Sequence, residues 1–437
     1  MLEKFFKLKQ NNTNPRREIM AGIITFLTMS YILVVNPIIL GETGMDKSAL
    51  FTTTALAAIV GTLLMALLAN VPIAQAPGMG LNSFFAFTVV LTMGYTWQFA
   101  LTAVIIEGVI FMILTLFNVR ELIIKNIPKG LKDAIPVGIG LFITLIGLKS
   151  AGIVVSNPNT LVSLGNMANH SIWVAFLGLI VIAVLLVKNV HGAILIGMLV
   201  STVFAFFLGD VTVPQGSLIS LPPSIAPIFF RFEWTHVFTF DMLIVVFTFL
   251  LVNLFDSVGT LIGVISKTGI ADKNGDFPQI QKALMADALG TMSGAILGTS
   301  PNTAYIESAT GVAAGGRTGL TSVSTAVMFA LALFLAPIFL MVPASATAPA
   351  LIIIGLFMMS SVTNINFNDI SQGFPAFLTI IFMPFTYSIA QGIIFGILSF
   401  TLIKMMTGKF KEVSITLYVI SLFFLFKIIL DAIGAFS

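Results

Sequence analysis

Long apolar stretches, separated by short polar loops, follow one another along almost the whole chain of 437 residues. A helix needs about 20 apolar residues to cross the hydrocarbon core of a bilayer, and most of the stretches have about that length. The pattern predicts seven membrane segments on each side of a long loop at 209–240. The predicted segments are 19–40, 50–69, 73–93, 98–118, 134–150, 172–187 and 192–208, then 241–264, 283–297, 299–316, 318–340, 349–364, 374–386 and 388–405.

The two ends of the chain and the long loop complete this pattern. Residues 1–18 form a polar, basic tail. A final apolar run at 413–435 contains Lys427 and Asp431, so it either spans the membrane or lies at its interface. Alternating apolar positions within the long loop predict short extracellular strands. These positions are Val211, Val213, Leu218 and Ile219.

The composition strengthens the membrane interpretation. Hydrophobic residues make up 57% of the chain and charged residues 9%, whereas about 25% charged residues are typical of soluble domains. We therefore predict an all-α polytopic membrane protein. The absence of cysteine excludes disulfides, thiolate metal ligands and Cys nucleophiles. The separated residues His170, His191 and His236 do not predict a metal site, and neither a cofactor nor nucleic-acid binding is expected.

The basic residues predict the orientation, because cytoplasmic loops of membrane proteins are enriched in Lys and Arg. With a cytoplasmic N-terminus, the outside segments hold only Lys47, Lys149 and Arg231. We expect a multi-pass protein of the bacterial plasma membrane in this orientation. Besides the tail, the predicted cytoplasmic segments collect Arg120, Lys125, Lys129, Lys132, Lys188, Lys267, Lys273, Lys282, Arg317, Lys404, Lys409 and Lys411.

The stretch 298–319 interrupts the apolar pattern. Gly298 and Pro301 favour turning or extended backbone, and the helix-compatible residues after them carry Glu307. A carboxylate beside broken backbone at membrane depth is costly unless protein or a water-filled cavity surrounds it. We interpret the stretch as a ligand site.

Two motifs of the second half of the chain resemble motifs of the first half. Residues 73–84 parallel residues 299–307, since each has a Pro followed five or six residues later by a polar side chain. Residues 134–142 similarly parallel residues 348–357. Because seven is odd, the second copy enters the membrane in the opposite orientation. Such an inverted repeat with interrupted segments is typical of a secondary transporter with its site near the midplane; chance similarity among Gly- and Pro-rich segments is the alternative.

Four acidic residues fall inside the predicted segments and away from their ends, and no Lys, Arg or His lies deep enough to pair with them. A buried carboxyl group is either protonated or meets a ligand that has hydrogen-bond donors. For Glu107 a protonated structural role is favoured, and for Asp287 a helix cap or a hydrogen bond to a neighbouring helix. The four residues are Glu107, Asp256, Asp287 and Glu307.

Asp256 lies in the middle of its segment and shares one helical face with Asn253, Ser257 and Thr260. A polar stripe on an apolar helix faces protein or a cavity. A hydrogen-bonded seam between helices is one interpretation, but for the carboxyl group of Asp256 ligand contact is favoured.

The third and tenth segments supply further candidates. Glu307 falls near a predicted helix N-terminus, whose free N–H groups and dipole stabilise negative charge or bind a ligand. Asn82 is its counterpart in the third segment, where it either contacts the ligand or caps its own half-helix. Phe84, Phe85 and Phe87 are able to stack on a planar ligand, although lipid or core packing is the default for any one of them.

These residues carry a specific resemblance that covers essentially the whole chain. The stretches 75–87, 253–260, 298–311 and 16–31 resemble the nucleobase–ascorbate transporter family. More narrowly, they are similar to its AzgA-like branch of adenine/guanine/hypoxanthine permeases.

The resemblance implies a fold of about fourteen segments in two inverted repeats of seven, in which segments 3 and 10 are each half strand and half helix. Segments 1–4 and 8–11 would form a core domain that carries the substrate, and segments 5–7 and 12–14 a gate domain. The implied boundaries are 19–118 and 241–340 for the core, 119–208 and 341–406 for the gate, with a tail at 1–18, a loop at 209–240 and a C-terminal segment at 407–437.

The resemblance also implies the substrate site. Asp256 and Glu307 would bind the base, and Asn82 with adjacent residues would complete the site. The related uracil permease has Glu at the first of these positions and His four residues later, where this chain has Asp256 and Thr260; the missing His puts a His-mediated proton relay in doubt. The implied substrate-binding set is Asp256, Glu307, Asn82, Phe84, Phe85, Ile306 and Thr260.

The resulting expectation is a transporter that imports purine nucleobases with protons by an elevator-like movement of core against gate. Glu307 is the favoured proton carrier and Asp256 the second candidate. A uracil or xanthine carrier of the same family is the main alternative, and an anion exchanger of the same fold is less favoured because the site is acidic. No constellation of catalytic residues suggests an enzyme. The preferred purine, the choice between H⁺ and Na⁺, and a homodimeric state are left open.

Overall fold

The computed structural model describes residues 2–117, 127–211, 217–265, 268 and 279–432. Backbone contacts divide the chain into two compact units. The first comprises Met1–Leu116 and Ile146–Ile353, and the second comprises Phe117–Leu145 and Ile354–Ser437.

The helices and strands up to residue 211 coincide with the predicted segments, apart from a short N-terminal helix and a hairpin. The helix α4 continues as π-helix over Met65–Ala69, and α5 continues as π-helix over Phe84–Thr92. The elements are α1 (Leu2–Phe6), α2 (Pro15–Met29), α3 (Ile32–Gly41), α4 (Lys47–Leu64), β1 (Gln75–Pro77), α5 (Met79–Ser83), α6 (Trp97–Leu116), α7 (Lys129–Ser150), β2 (Val154–Asn157), β3 (Leu161–Leu164), α8 (His170–Val187) and α9 (Ala193–Phe207).

The second half of the chain has a corresponding series. Short 3₁₀ turns extend α13 over Leu333–Leu335 and α15 over Met359–Asn364. The elements are α10 (Phe240–Ile265), α11 (Ile280–Leu297), β4 (Asn302–Ala304), α12 (Ser308–Ala313), α13 (Gly319–Ala332), α14 (Ala336–Leu340), α15 (Ala344–Met358), α16 (Ile370–Phe385), α17 (Ile389–Met406) and α18 (Ile415–Ala432).

Nine helical stretches within the described residues are long and apolar enough to cross a membrane. Four shorter apolar helices accompany them: Met79–Thr92, Ala193–Phe207, Ile370–Phe385 and Ile415–Ile429. The helix α11 is not among these because small residues and a buried carboxyl group dilute its apolar character. Each predicted segment contains a described helix, so the polytopic helical class is confirmed, while the inverted repeat stays a prediction. The choice between a spanning and an interfacial α18 also stays open.

The third and tenth segments meet through their strands. β1 and β4 pair antiparallel in the register Gln75↔Ala304, Ala76↔Thr303 and Pro77↔Asn302. All positions of both strands are buried. The pairing satisfies backbone groups that would otherwise be left without partners at membrane depth. The prediction that each of these segments is a strand followed by a helix is confirmed, because α5 follows β1 and α12 follows β4.

The prediction of strands in the long loop is wrong for the described residues, because 217–240 contains no strand. Val213 lies outside the described residues. Strands form only where a partner strand is available, and the described part of the loop pairs with no strand. The strands lie instead in a hairpin formed by β2 and β3, where the Asn157 side chain accepts from the N–H of Asn159 at 2.8 Å and closes the turn.

A buried carboxylate that the segment pattern did not single out fixes α2 against the start of α13. Glu18 is fully buried, and its carboxylate accepts from the N–H of Arg317 at 2.9 Å and of Thr318 at 3.2 Å. It also accepts from the hydroxyls of Thr318 at 2.9 Å and Thr321 at 2.6 Å. A carboxylate at a helix N-terminus satisfies free N–H groups and complements the helix dipole. Glu18 therefore ties the first segment to the eleventh.

The second unit contains a buried cation. The side chain of Lys404, near the end of α17, is only 3% exposed. Its Nζ donates to Ser371 Oγ at 2.9 Å and to Glu412 Oε2 at 2.5 Å. The hydrogen bond from Lys404 holds the pKa of Glu412 below its usual value. The contact fixes the end of α17 to the start of α16 and to the segment that precedes α18.

Candidate substrate site

Glu307 is placed by the junction of β4 and α12. It is the residue immediately before α12 and is half-buried. The hydroxyl of Tyr31 donates to Glu307 Oε1 at 2.5 Å. The hydroxyl of Thr310 donates to the Glu307 backbone carbonyl at 2.6 Å. The predicted position of Glu307, at a helix start just after broken backbone, is confirmed.

Asp256 reaches the same region from the middle of α10. Its carboxyl group is half-buried and accepts a hydrogen bond from the hydroxyl of Thr303 on β4. Asp256 also lies close enough to Glu307 for the two carboxylates to interact electrostatically. The structure therefore brings together the two acidic residues that the sequence placed 51 positions apart in segments 8 and 10.

Asn82 belongs to a buried amide cluster beside these residues. Its Nδ2 donates to Asn36 Oδ1 at 3.1 Å. Asn36 Nδ2 in turn donates to the hydroxyls of Thr54 at 2.8 Å and Thr299 at 2.9 Å. The alternative that Asn82 caps its half-helix is wrong, because α5 begins at Met79 and Asn82 lies within it. Asn82 links segments 1 and 3, and its contact with substrate stays a prediction.

The remaining predicted site residues differ in exposure. Phe84 and Phe85 are fully buried, and Phe84 packs edge-to-face on Phe249 with ring centroids 4.8 Å apart. Thr260 is buried on α10, one turn after Asp256. Ile306 is 57% exposed. Their contact with a base stays a prediction, and Phe84 already has an aromatic partner in this structure.

Part of the polar stripe on α10 forms a seam between helices. Asn253 Nδ2 donates to Glu107 Oε1 at 3.0 Å and to the Thr291 hydroxyl at 3.2 Å. The Ser257 hydroxyl donates to Asn253 Oδ1 at 3.0 Å. Glu107 is fully buried, in agreement with a structural role. The seam interpretation therefore holds for Asn253 and Ser257, whereas Asp256 turns toward β4.

Asp287 supports the strand ladder from α11. Gln75 Nε2 on β1 donates to Asp287 Oδ1 at 3.0 Å, and both side chains are fully buried. The prediction of a hydrogen bond is confirmed, with a strand rather than a helix as the partner. Asp287 also interacts electrostatically with Asp256, so it lies behind the site.

The sequence interpretation did not assign three residues of this region: Tyr31, Gln75 and Thr303. Tyr31 and Gln75 lie within quoted stretches, but each looked like one polar residue among many. Thr303 follows Pro301 in the interrupted stretch, where side-chain direction depends on the strand pairing. Strand alternation would have placed Thr303 on one face, had the register with β1 been known.

Comparison with solved structures defines the class of fold. The transmembrane domain of the cyanobacterial bicarbonate transporter BicA is similar, with a TM-score of 0.64, 16% identity, and coverage of 87% of this chain and 97% of that domain. The structure of SLC26A9 is similar with a TM-score of 0.63 and 11% identity, over 90% of this chain and 65% of that one. At such identities the likeness shows the fold alone, which this chain shares with both proteins.

Comparison with known sequences then gives the family. Residues 16–395 match the profile of the permease family Xan_ur_permease. Adenine permease AdeP of Escherichia coli K12 is 46% identical over 98% of this chain and 96% of its own length. Guanine/hypoxanthine permease PbuO of Bacillus subtilis 168 is 45% identical over 97% of this chain and 99% of its own length. This chain therefore belongs to the nucleobase–ascorbate transporter family of permeases, and it is a multi-pass transporter and not an enzyme.

Proposed function

We propose that this protein imports purine nucleobases (adenine, guanine or hypoxanthine) together with protons. The observation that carries the proposal is the pairing of two half-buried carboxyl groups, Asp256 and Glu307, beside the strand ladder. Relatives named adenine permease and guanine/hypoxanthine permease support the choice of substrate, at 44–46% identity over nearly the whole chain.

The chemistry of a purine matches such a site. A purine offers ring N–H and exocyclic amino groups as donors, and the carboxylates of Asp256 and Glu307 are acceptors. Its ring nitrogens and carbonyl oxygens accept from donors such as the amide of Asn82 and the free N–H groups at the start of a half-helix. A site with matched polar groups rejects analogues that lack them, because its own groups would be left without partners. An anion would instead meet two acidic residues, which disfavours an anion exchanger.

Proton coupling follows from the charge of the site. Two neighbouring carboxylates repel each other, and in a poorly solvated site a proton on one of them relieves the repulsion. A carrier that must move its site through the membrane gains from that neutralisation, since charge at membrane depth is costly. We place the transferred proton on Glu307, with Asp256 as the alternative carrier.

The movement we propose is an elevator-like displacement of a core domain against a gate domain. Segments 1–4 and 8–11 would move with the substrate, since they contribute Tyr31, the strand ladder, Asp256 and Glu307. Segments 5–7 and 12–14 would form the gate. The similarity of the fold to transporters such as BicA supports this choice.

We also propose a cytoplasmic N-terminus. The cluster around Glu18 joins the N-terminal part of α2 to the start of α13, and both ends carry basic residues, Arg16, Arg17 and Arg317. The loop after segment 3 and the start of segment 8, both predicted to be outside, also meet, since Tyr95 donates to Asp241 at 2.5 Å. Accessibility of a single introduced cysteine in the tail to an impermeant thiol reagent tests this orientation.

Uptake into vesicles tests the proposal. The full-length protein is reconstituted into proteoliposomes, and labelled adenine or hypoxanthine is added with an inward proton gradient, with an inward Na⁺ gradient, or with neither. We expect accumulation with the proton gradient and its loss when a protonophore collapses that gradient. Accumulation that follows the Na⁺ gradient alone would overturn proton coupling, and no purine uptake in any arm would overturn the proposed substrate.

A further inference from the structure

A tyrosine at the junction of the first two helical stretches faces the proposed proton carrier. Tyr31 lies between α2 and α3 and is 1% exposed. Here the helix tightens, because the N–H of Leu33 bonds to the Ser30 carbonyl and that of Val34 to the Tyr31 carbonyl. The tightened turn brings the phenol to Glu307, where its hydroxyl donates to Oε1 at 2.5 Å.

The backbone around this contact is held by other interactions. The hydroxyls of Thr28 and Thr310 lie 3.1 Å apart, and Thr310 also bonds to the Glu307 carbonyl. Gly311 on α12 approaches α2 so closely that a Cβ atom would lie 2.0 Å from Thr25 Oγ1. The Tyr31–Glu307 distance is therefore fixed by packing between α2 and α12 and does not depend on the hydrogen bond alone.

Other titratable and charged groups surround Glu307. Asp256 faces it from α10, and Asp287 lies behind Asp256 on α11. Tyr305 is close in the chain, but its hydroxyl donates to the Pro77 carbonyl at 2.6 Å. At the far end of α12, Arg317 donates to the Val312 carbonyl at 2.7 Å. Tyr31 is thus the phenol that is directed at the Glu307 carboxyl group.

From this geometry we infer that Tyr31 is a positioning residue that sets the protonation of Glu307 and, through it, the pH dependence of purine binding. The inference rests on the proposed function. A hydroxyl that donates to a carboxylate stabilises the charged form. The same phenol oxygen accepts from the protonated carboxyl group, so Glu307 keeps one orientation in both states.

Removal of the hydroxyl tests the inference. Labelled adenine binding to the purified full-length protein is measured against pH for the wild type and for Tyr31→Phe. We expect the pH midpoint to move upward by about one unit in Tyr31→Phe, because a hydrogen bond to the charged form is lost. The matched control is Tyr305→Phe, which removes the neighbouring phenol hydroxyl but not the bond to Glu307, and its midpoint should stay at the wild-type value.

A second variant at Tyr31 tests the inference even if Tyr31→Phe does not fold correctly. Tyr31→3-fluorotyrosine keeps the hydroxyl and makes it a stronger donor, so the midpoint should move downward. In a Glu307→Gln background, Tyr31→Phe should cause no further shift. The inference would be overturned if both variants bind adenine with the wild-type pH midpoint. It would also be overturned if wild-type binding does not depend on pH. Neither result would contradict purine transport. Absence of purine binding by the wild type would instead overturn the proposed function.

Discussion

The amide of Gln75 donates to the carboxyl group of Asp287 at 3.0 Å, across 212 positions of the sequence. Gln75 belongs to β1 and Asp287 to α11, and both are fully buried. The contact anchors the strand ladder to a helix that lies behind Asp256. The half-helices follow the strands of this ladder. The position of the proposed site therefore depends on the polar contact between Gln75 and Asp287.

Space around Gln75 is limited by two glycines, which gives a first prediction. A Cβ atom at Gly290 would lie 2.4 Å from Gln75 Oε1, and one at Gly61 would lie 2.6 Å from the same atom. Gly290→Ala should push the amide from Asp287 and destabilise the protein by about 1–3 kcal/mol, as overpacking does.

Thermal unfolding in detergent, with and without adenine, measures this effect. The matched control is Gly259→Ala on α10, where a Cβ atom meets nothing within 4 Å. Equal unfolding midpoints for the two variants would show that the amide contact does not support the ladder.

The buried carboxylate of Glu18 gives a second prediction. Glu18→Gln replaces one acceptor oxygen by an NH₂ group that faces N–H and hydroxyl donors, so we expect a loss of about 2–4 kcal/mol of stability. The matched control is Glu42→Gln, an exposed carboxyl group at the end of α3, which should change stability by less than about 0.5 kcal/mol. Chemical unfolding in mixed micelles compares the two, and similar curves would refute a structural role for Glu18.

The pattern of the sequence predicted much of this fold, for a physical reason. Apolar length determines a membrane helix, and Pro77 and Pro301 mark where helix is excluded. The strand-then-helix segments and the grouping of Asp256 with Glu307 followed from those signals and from the family resemblance. The strand-then-helix segments are marked by local signals, whereas the grouping of the two acids was implied by the family resemblance.

The contacts that hold the site were not predictable in the same way. Tyr31 meets Glu307 across 276 positions, and Glu18 meets Thr318 across 300. Periodicity describes which face of one helix is polar, but not which residue of another segment lies opposite. The prediction of strands in the long loop was wrong for a related reason. Alternation over a few residues leads to a strand only if a partner strand is available.

The ion pair of the second unit gives a third prediction, on pH. The pKa of Glu412 is lowered by its hydrogen bond with Lys404. A carboxyl group whose pKa is lower in the folded than in the unfolded protein stabilises the fold above its unfolded pKa, and this contribution is lost as pH falls through the folded pKa.

Glu412→Gln should therefore lower the unfolding temperature at neutral pH and have no effect in acid well below the usual glutamate pKa. The difference in unfolding temperature between variant and wild type is measured across pH. A difference that persists in acid would mean that the charge of Glu412 is not the cause.

The two acids of the proposed site give a fourth prediction. Asp256→Asn and Glu307→Gln keep side-chain size but remove the charged acceptor. A hydrogen bond to a charged group contributes about 1.5–3 kcal/mol, so purine affinity should fall by about 10- to 100-fold in each variant. Equilibrium binding of labelled adenine measures this, with Glu42→Gln as a carboxylate variant that should bind as the wild type does.

The most direct test of the account is competition for uptake in a host that lacks its own purine carriers. Cells that express the full-length chain take up labelled adenine or hypoxanthine in the presence of an excess of unlabelled adenine, guanine, hypoxanthine, xanthine or uracil. The account predicts that adenine, guanine or hypoxanthine abolish uptake, that uracil does not, and that Asp256→Asn and Glu307→Gln fall far below the wild type. Competition by uracil or xanthine alone, or wild-type uptake by both variants, would contradict it.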